Sequence, residues 1–157
     1  RDRIELVLGL KEDDRGLGFN LKQSKIAIGA GEMWGRGYLK GTQTKMGFVP
    51  EQHTDFIFDA IGEEWGFVGS SIFLLIFCGL LIRLVILAER QSTTFGRVLG
   101  YSLASVLFFH MSINIGMTMG LVPTIGIPLP FISAGGSSLW AFTLFLFTFL
   151  RVDQVRK

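Results

Sequence analysis

The sequence predicts an all-α integral membrane protein: three membrane-spanning helices preceded by a long extracytoplasmic loop that carries a short amphipathic helix. Three observations lead there. Of 157 residues, 49% are apolar and 13% aromatic, a composition richer in aromatics than ordinary soluble domains. Residues 67–88 carry one charge, Arg83, over a length sufficient at 1.5 Å per residue to cross a hydrocarbon core of roughly 30 Å. The charges are also divided unevenly. Residues 1–66 hold 9 Lys/Arg and 11 Asp/Glu, net −2, whereas residues 67–157 hold 6 and 2, net +4. A mildly acidic loop region is thus joined to a membrane region whose few charges are mostly basic, as the positive-inside tendency requires. Nothing in this balance suggests nucleic-acid binding.

The chain opens at Arg1 with neither a basic start nor an apolar leader, so it is expected to begin inside a longer protein. Lys11 to Gly18 has the polarity and glycine content of an exposed loop, and little regular structure is expected over residues 1–21. From Lys22 to Gly41 a glycine recurs every few residues beside the cations Lys22 and Lys25. Such spacing serves either tight turns or a nest of backbone amides that holds an anion.

Residues 50–66 read Pro-Glu-Gln-His-Thr-Asp-Phe-Ile-Phe-Asp-Ala-Ile-Gly-Glu-Glu-Trp-Gly and crowd five carboxylates (Glu51, Asp55, Asp59, Glu63, Glu64) and His53 against Phe56, Phe58 and Trp65. With Thr54 or Asp55 as the cap of a helix reaching Gly66, the fourfold spacing sets Asp55, Asp59 and Glu63 on one face. Periodicity alone favours a solvated acidic face at the membrane boundary.

The first span is then 67–88, with Arg83 snorkelling near its far end. Glu89, Arg90 and Arg97 mark the following loop as cytoplasmic, which puts residues 1–66 outside. A second span, 96–120, returns outward. It carries His110 and Asn114 on one face, either lining a polar groove or bonding a neighbouring helix. Residues 121–136 contain no charge and three prolines, Pro123, Pro128 and Pro130. A continuous helix is forbidden there, yet the stretch is too apolar for water, so a re-entrant-like outer loop is expected. Its glycines and serines either seat a phosphate or sugar or merely pack helices. The third span, 137–152, ends at Arg151, Arg156 and Lys157 inside the cell. Cys78, the sole cysteine, can form neither an intrachain disulfide nor a cysteine metal site and is assigned to packing.

Three motifs in order resemble one family: Gln23 to Gly31 followed by Gly41-Thr42-Gln43, the Pro50 to Gly66 block, and Gly126 to Ser137. The chain is similar to the SEDS family of RodA/FtsW/SpoVE-type peptidoglycan polymerases over essentially its whole length, as their C-terminal part. Glu32, Asp59 and Ala134 depart from the usual pattern. The resemblance implies a glycosyltransferase of the cytoplasmic membrane, active on its outer face, that polymerises lipid II, a disaccharide on a polyprenyl pyrophosphate carrier. The RodA branch, serving cell elongation, fits better than the FtsW division branch, because of Gly41-Thr42-Gln43 and Thr93-Thr94-Phe95-Gly96-Arg97. A class B penicillin-binding protein transpeptidase is the implied partner.

The resemblance also makes Asp55 the catalytic residue. Glu51, His53 and Thr54 stand with it in the motif, Asn114 belongs to the family's Asn-Ile-Gly-Met, and Lys25 with Ser133, Gly135, Gly136 and Ser137 are candidates to hold the substrate's pyrophosphate. A divalent cation, Mg or Mn, is the other candidate for that countercharge. Two readings of other classes are a flippase for the lipid-linked precursor and a scaffold for the transpeptidase. Clustering of the ionisable and glycine-rich residues toward one side disfavours the first, and the carboxylate cluster disfavours the second.

Overall fold

The computed structural model describes residues 17–37 and 56–155, with side chains from residue 22 onward. Four helices follow in order: α1 Leu17–Ala30, α2 Ile57–Glu89, α3 Thr94–Met119 and α4 Gly136–Gln154. No strand occurs among the described residues. Helices α2 and α3 form a hairpin about residues 90–93, where the Thr93 hydroxyl caps α3 by accepting from the Gly96 amide at 3.2 Å. Helix α3 stops at Gly120, whose φ of 77° turns the chain so that the Leu121 amide bonds back to the Gly116 carbonyl at 2.7 Å. Helix α4 packs on α3, and α1 lies across α2 and reaches α3.

The core between α2, α3 and α4 consists of Phe77, Leu84, Ala88, Leu103, Leu107, Met111, Phe142 and Phe149, joined by Leu129 from the loop. Most other apolar side chains face outward. Helices α2 and α3 are long and apolar enough to cross a membrane, yet only 17% and 33% of their most apolar stretches are buried. A soluble protein would hide such surface, whereas lipid or further helices would cover it here. Helix α4, at 19 residues, does not match the other two in length and apolarity.

Expectation and structure part at two places before the first span. Residues 17–30, assigned to loop and glycine turns, are helical. The reason is a packing face: Ser24, Ala27 and Gly31 recur at three- and four-residue spacing and are all buried. The expected amphipathic helix and first span are also one helix by hydrogen bonding, divided by a kink at Gly66 with φ 64° and ψ −162°. Its cap position is Phe56, which makes no side-chain cap bond, and the expected caps Thr54 and Asp55 lie outside the described residues.

The kink is repaired from outside. A regular helix would bond the Phe67 and Val68 amides to the Glu63 and Glu64 carbonyls. Here those carbonyls accept instead from the Arg36 and Gly37 amides, both at 3.0 Å, while the Phe67 and Val68 amides donate to the Glu32 and Met33 carbonyls at 2.9 and 3.1 Å. The segment after α1 is spliced into the break, leaving these backbone groups paired. Only glycine fits its crossings. A Cβ on Gly31 would lie 1.9 Å from the Gly62 carbonyl oxygen, and one on Gly66 would lie 2.3 Å from the Gly35 nitrogen. Close backbone passage, not an anion nest, explains these glycines.

Candidate functional site

Helix α2 begins at Ile57, inside the acid and aromatic block. Phe56 is buried against Ala27 of α1, and Phe58 is buried beside Phe73, with ring centres 6.3 Å apart. The acids are not solvated: Asp59 and Glu63 are both fully buried, which corrects the expected water-facing stripe. Both precede the kink and the charge-free run that starts at Phe67. Their shared face turns toward α1.

Three chain segments meet at Asp59. The Ser24 hydroxyl lies 2.9 Å from Asp59 Oδ1 and 2.8 Å from the Thr118 carbonyl oxygen at the end of α3, within donating distance of both. Asp59 Oδ2 is buried without a hydrogen-bond partner among the described residues. Burial pushes the Asp59 carboxyl up to about 7 from an ordinary 3.8, since a charged oxygen in that setting forgoes water. Sequence reasoning passed over Ser24, and the signal that would have found it is the buried 24-27-31 spacing.

The loop after α3 is held by the two polar residues of that helix. Asn114 Nδ2 donates to the Ile127 carbonyl at 2.7 Å, and His110 Nδ1 lies 3.4 Å from the Pro128 carbonyl. The His110 ring also stands edge-on to Phe142 at 5.0 Å. Ser133 is buried inside the loop's own turn, its hydroxyl accepting from the Leu129 amide at 2.7 Å. That turn holds Phe131 at φ 67°, a left-handed backbone that a bulky residue seldom adopts. Gly135 is the N-cap residue of α4, Gly136 its exposed first residue and Ser137 exposed beside it. Lys25 is exposed on α1.

Of the expected site residues, Asn114 on α3 and Ser133 in the loop each bond the loop backbone, at Ile127 and Leu129 respectively, and Lys25 lies on the helix that packs against α2. Glu51, His53, Thr54 and Asp55 lie outside the described residues. Among the described residues no group of three or more His, Cys, Asp or Glu could hold a metal ion. On the face of α2 away from Asp59, Ile61, Trp65, Gly69, Ile72, Phe73 and Ile76 line an apolar groove of about 340 Å³.

The family model for FtsW, RodA and SpoVE cell cycle proteins matches residues 1–157. The chain belongs to this family. Over 139 residues it is 46% identical to the peptidoglycan glycosyltransferase MrdB of Escherichia coli (strain K12), covering 88% of this chain and 38% of that protein. RodA of Treponema pallidum (strain Nichols), also named a peptidoglycan glycosyltransferase, is 39% identical over 88% of this chain and 32% of its own length. A probable peptidoglycan glycosyltransferase FtsW from Buchnera aphidicola is 41% identical over 96% and 39%. The chain therefore spans between about a third and two-fifths of these relatives. In three dimensions it resembles a chain of a peptidoglycan synthase complex that coordinates polymerization and crosslinking, with TM-score 0.77 and 31% identity over 99% of this chain and 42% of that one.

Proposed function

We propose that this chain is the C-terminal part of a peptidoglycan glycosyltransferase that polymerises lipid II into glycan strands on the outer face of the cytoplasmic membrane, in the elongation role of RodA. The observation that carries this is the 46% identity to MrdB across a stretch that includes the Pro50 to Gly66 block. The FtsW relatives align at similar identity, which keeps a role in division as the second reading.

In this reading the span of α2 starts beyond Gly66. Trp34 and Trp65, both well exposed beside the kink, suit the interfacial zone where tryptophan collects. Helix α4 supplies a third crossing, since 19 residues extend to about 28 Å. Residues before 66 and the loop 121–136 then share the outer side. A substrate with a charged sugar head and a long hydrocarbon tail needs an apolar groove for the tail, and the groove at Trp65 is the candidate.

The chemistry asks for a base to remove the proton of a sugar 4-hydroxyl while that oxygen attacks an anomeric carbon and pyrophosphate departs. Asp55 is assigned that role, with Lys25, Ser137 and the amides about Gly135 and Gly136 drawn to the leaving group. A class B penicillin-binding protein would crosslink the strands so made. The test is strand synthesis from purified lipid II by the full-length parent protein, read as product length on a gel. Strands from the wild type and none from Asp55→Asn are expected; movement of lipid II without strands would leave a flippase instead.

A further inference from the structure

The hydrogen bonds at Ser24 require more protons than the hydroxyl has. Ser24 Oγ lies within 3 Å of two acceptor oxygens, Asp59 Oδ1 and the Thr118 carbonyl, and can donate to only one. If Asp59 is ionised, either its oxygen or the carbonyl stays unserved in a site where all three residues are fully buried. One additional proton, on Asp59 Oδ1, completes the set: the carboxyl donates to Ser24 and Ser24 donates to Thr118. Oδ2 points the same way. It has no partner among the described residues, which burdens a carbonyl oxygen far less than an ionised one.

We propose that Asp59 is a positioning residue whose neutral carboxyl donates to Ser24 and, through it, ties the first turn of α2 to α1 and to the end of α3. The turn so fixed is the one that follows Asp55 in the chain, and its relevance to polymerisation rests on the function proposed above. The charges around it agree. Glu63, one turn along α2, is likewise fully buried and makes an interaction of its own. Glu64 follows on the same helix half-buried, Lys22 and Lys25 of α1 are exposed, and the α3 segment 111–119 contains no titratable residue, His110 lying two turns before Thr118. Among the described residues no cation acts on the Asp59 carboxyl.

Asparagine is the discriminating substitution, because its amide NH₂ can donate to Ser24 where the acid does and its oxygen can occupy the unpartnered position. In the full-length parent, Asp59→Asn is expected to polymerise within about twofold of wild type, because the donor is kept. Asp59→Ala and Ser24→Ala are expected to lose roughly 10- to 100-fold in kcat with KM little changed, as displacement of a reacting group does. The wild type should lose activity as pH rises through about 7, when the carboxyl gives up its proton, and Asp59→Asn should not. An infrared carboxylic acid band present in wild type and missing from Asp59→Asn reads the proton directly, without reference to activity. Asparagine as damaging as alanine, alanine variants as fast as wild type, or no difference in that band would overturn the assignment. If Asp59→Ala fails to fold, Ser24→Ala, which removes one oxygen, decides in its place. An Asp55→Asn variant that still polymerises would defeat the function proposed above, while the infrared comparison would still decide the state of Asp59.

Discussion

The two ends of the helical unit solve the same problem in opposite ways. At the hairpin end, Gln91 donates to Asp153 Oδ1 at 2.6 Å and lies 3.4 Å from the Leu87 carbonyl, Tyr101 bonds Glu89, and Thr93 caps α3. Most of these groups touch water, and their partners are near in sequence or on the next helix. At the α1 end the bonds join residues 35 and 94 positions apart, two acids are fully buried, and two backbone segments cross where only glycine fits. Apart from the bond from Gln91 to Asp153 on α4, the first end can form as soon as α2 and α3 pair. The Ser24 bonds of the second exist only once α1, α2 and α3 have all assembled. The costly geometry is confined to one end of the bundle, and in the sequence that end directly follows Asp55, the residue proposed above as the base.

The largest effect expected is that of Asp55→Asn, a loss of about 10² to 10⁴ in polymerisation rate by the full-length protein, because positioned proton transfer has no substitute. Equal losses on neutralising any nearby acid would mean that bulk charge, not a base, is at work.

Gly66→Ala sharpens the comparison through the backbone alone. A side chain at φ 64° and 2.3 Å from Gly35 should lower stability by about 2–4 kcal/mol, read as a fall in melting temperature of the purified protein. An unchanged melting temperature would show that the splice does not carry the α1 end. Asn114→Ala removes the donor to the Ile127 carbonyl, and a buried carbonyl left bare costs about 1–3 kcal/mol. Faster amide exchange over residues 121–130 is the expected readout, with little change beyond the loop.

The smallest effect belongs to the hairpin end. Gln91→Ala should cost about 1 kcal/mol of stability and leave kcat untouched, since its bonds are partly exposed and far from Asp55 along α2. A drop in kcat comparable to that of Ser24→Ala would break the distinction between the two ends.

What the sequence determined by itself is whatever depends on neighbours along the chain. The apolar run from Phe67 and the prolines that bar a continuous helix after Gly120 are local properties of the chain, whereas the start of α3 at Thr94, capped by Thr93, was not read from it. The order of residues in the acid block likewise sufficed to suggest the family. Tertiary structure alone decided that Asp59 and Glu63 are buried instead of solvated, that residues 17–30 are helical, and that the glycines after them thread a broken helix. Those outcomes depend on Ser24, Gly31 and Thr118 arriving from distant positions. A fourfold acidic spacing is the same string of letters whether it faces water or a packed helix, and only the surface laid against it sets its environment.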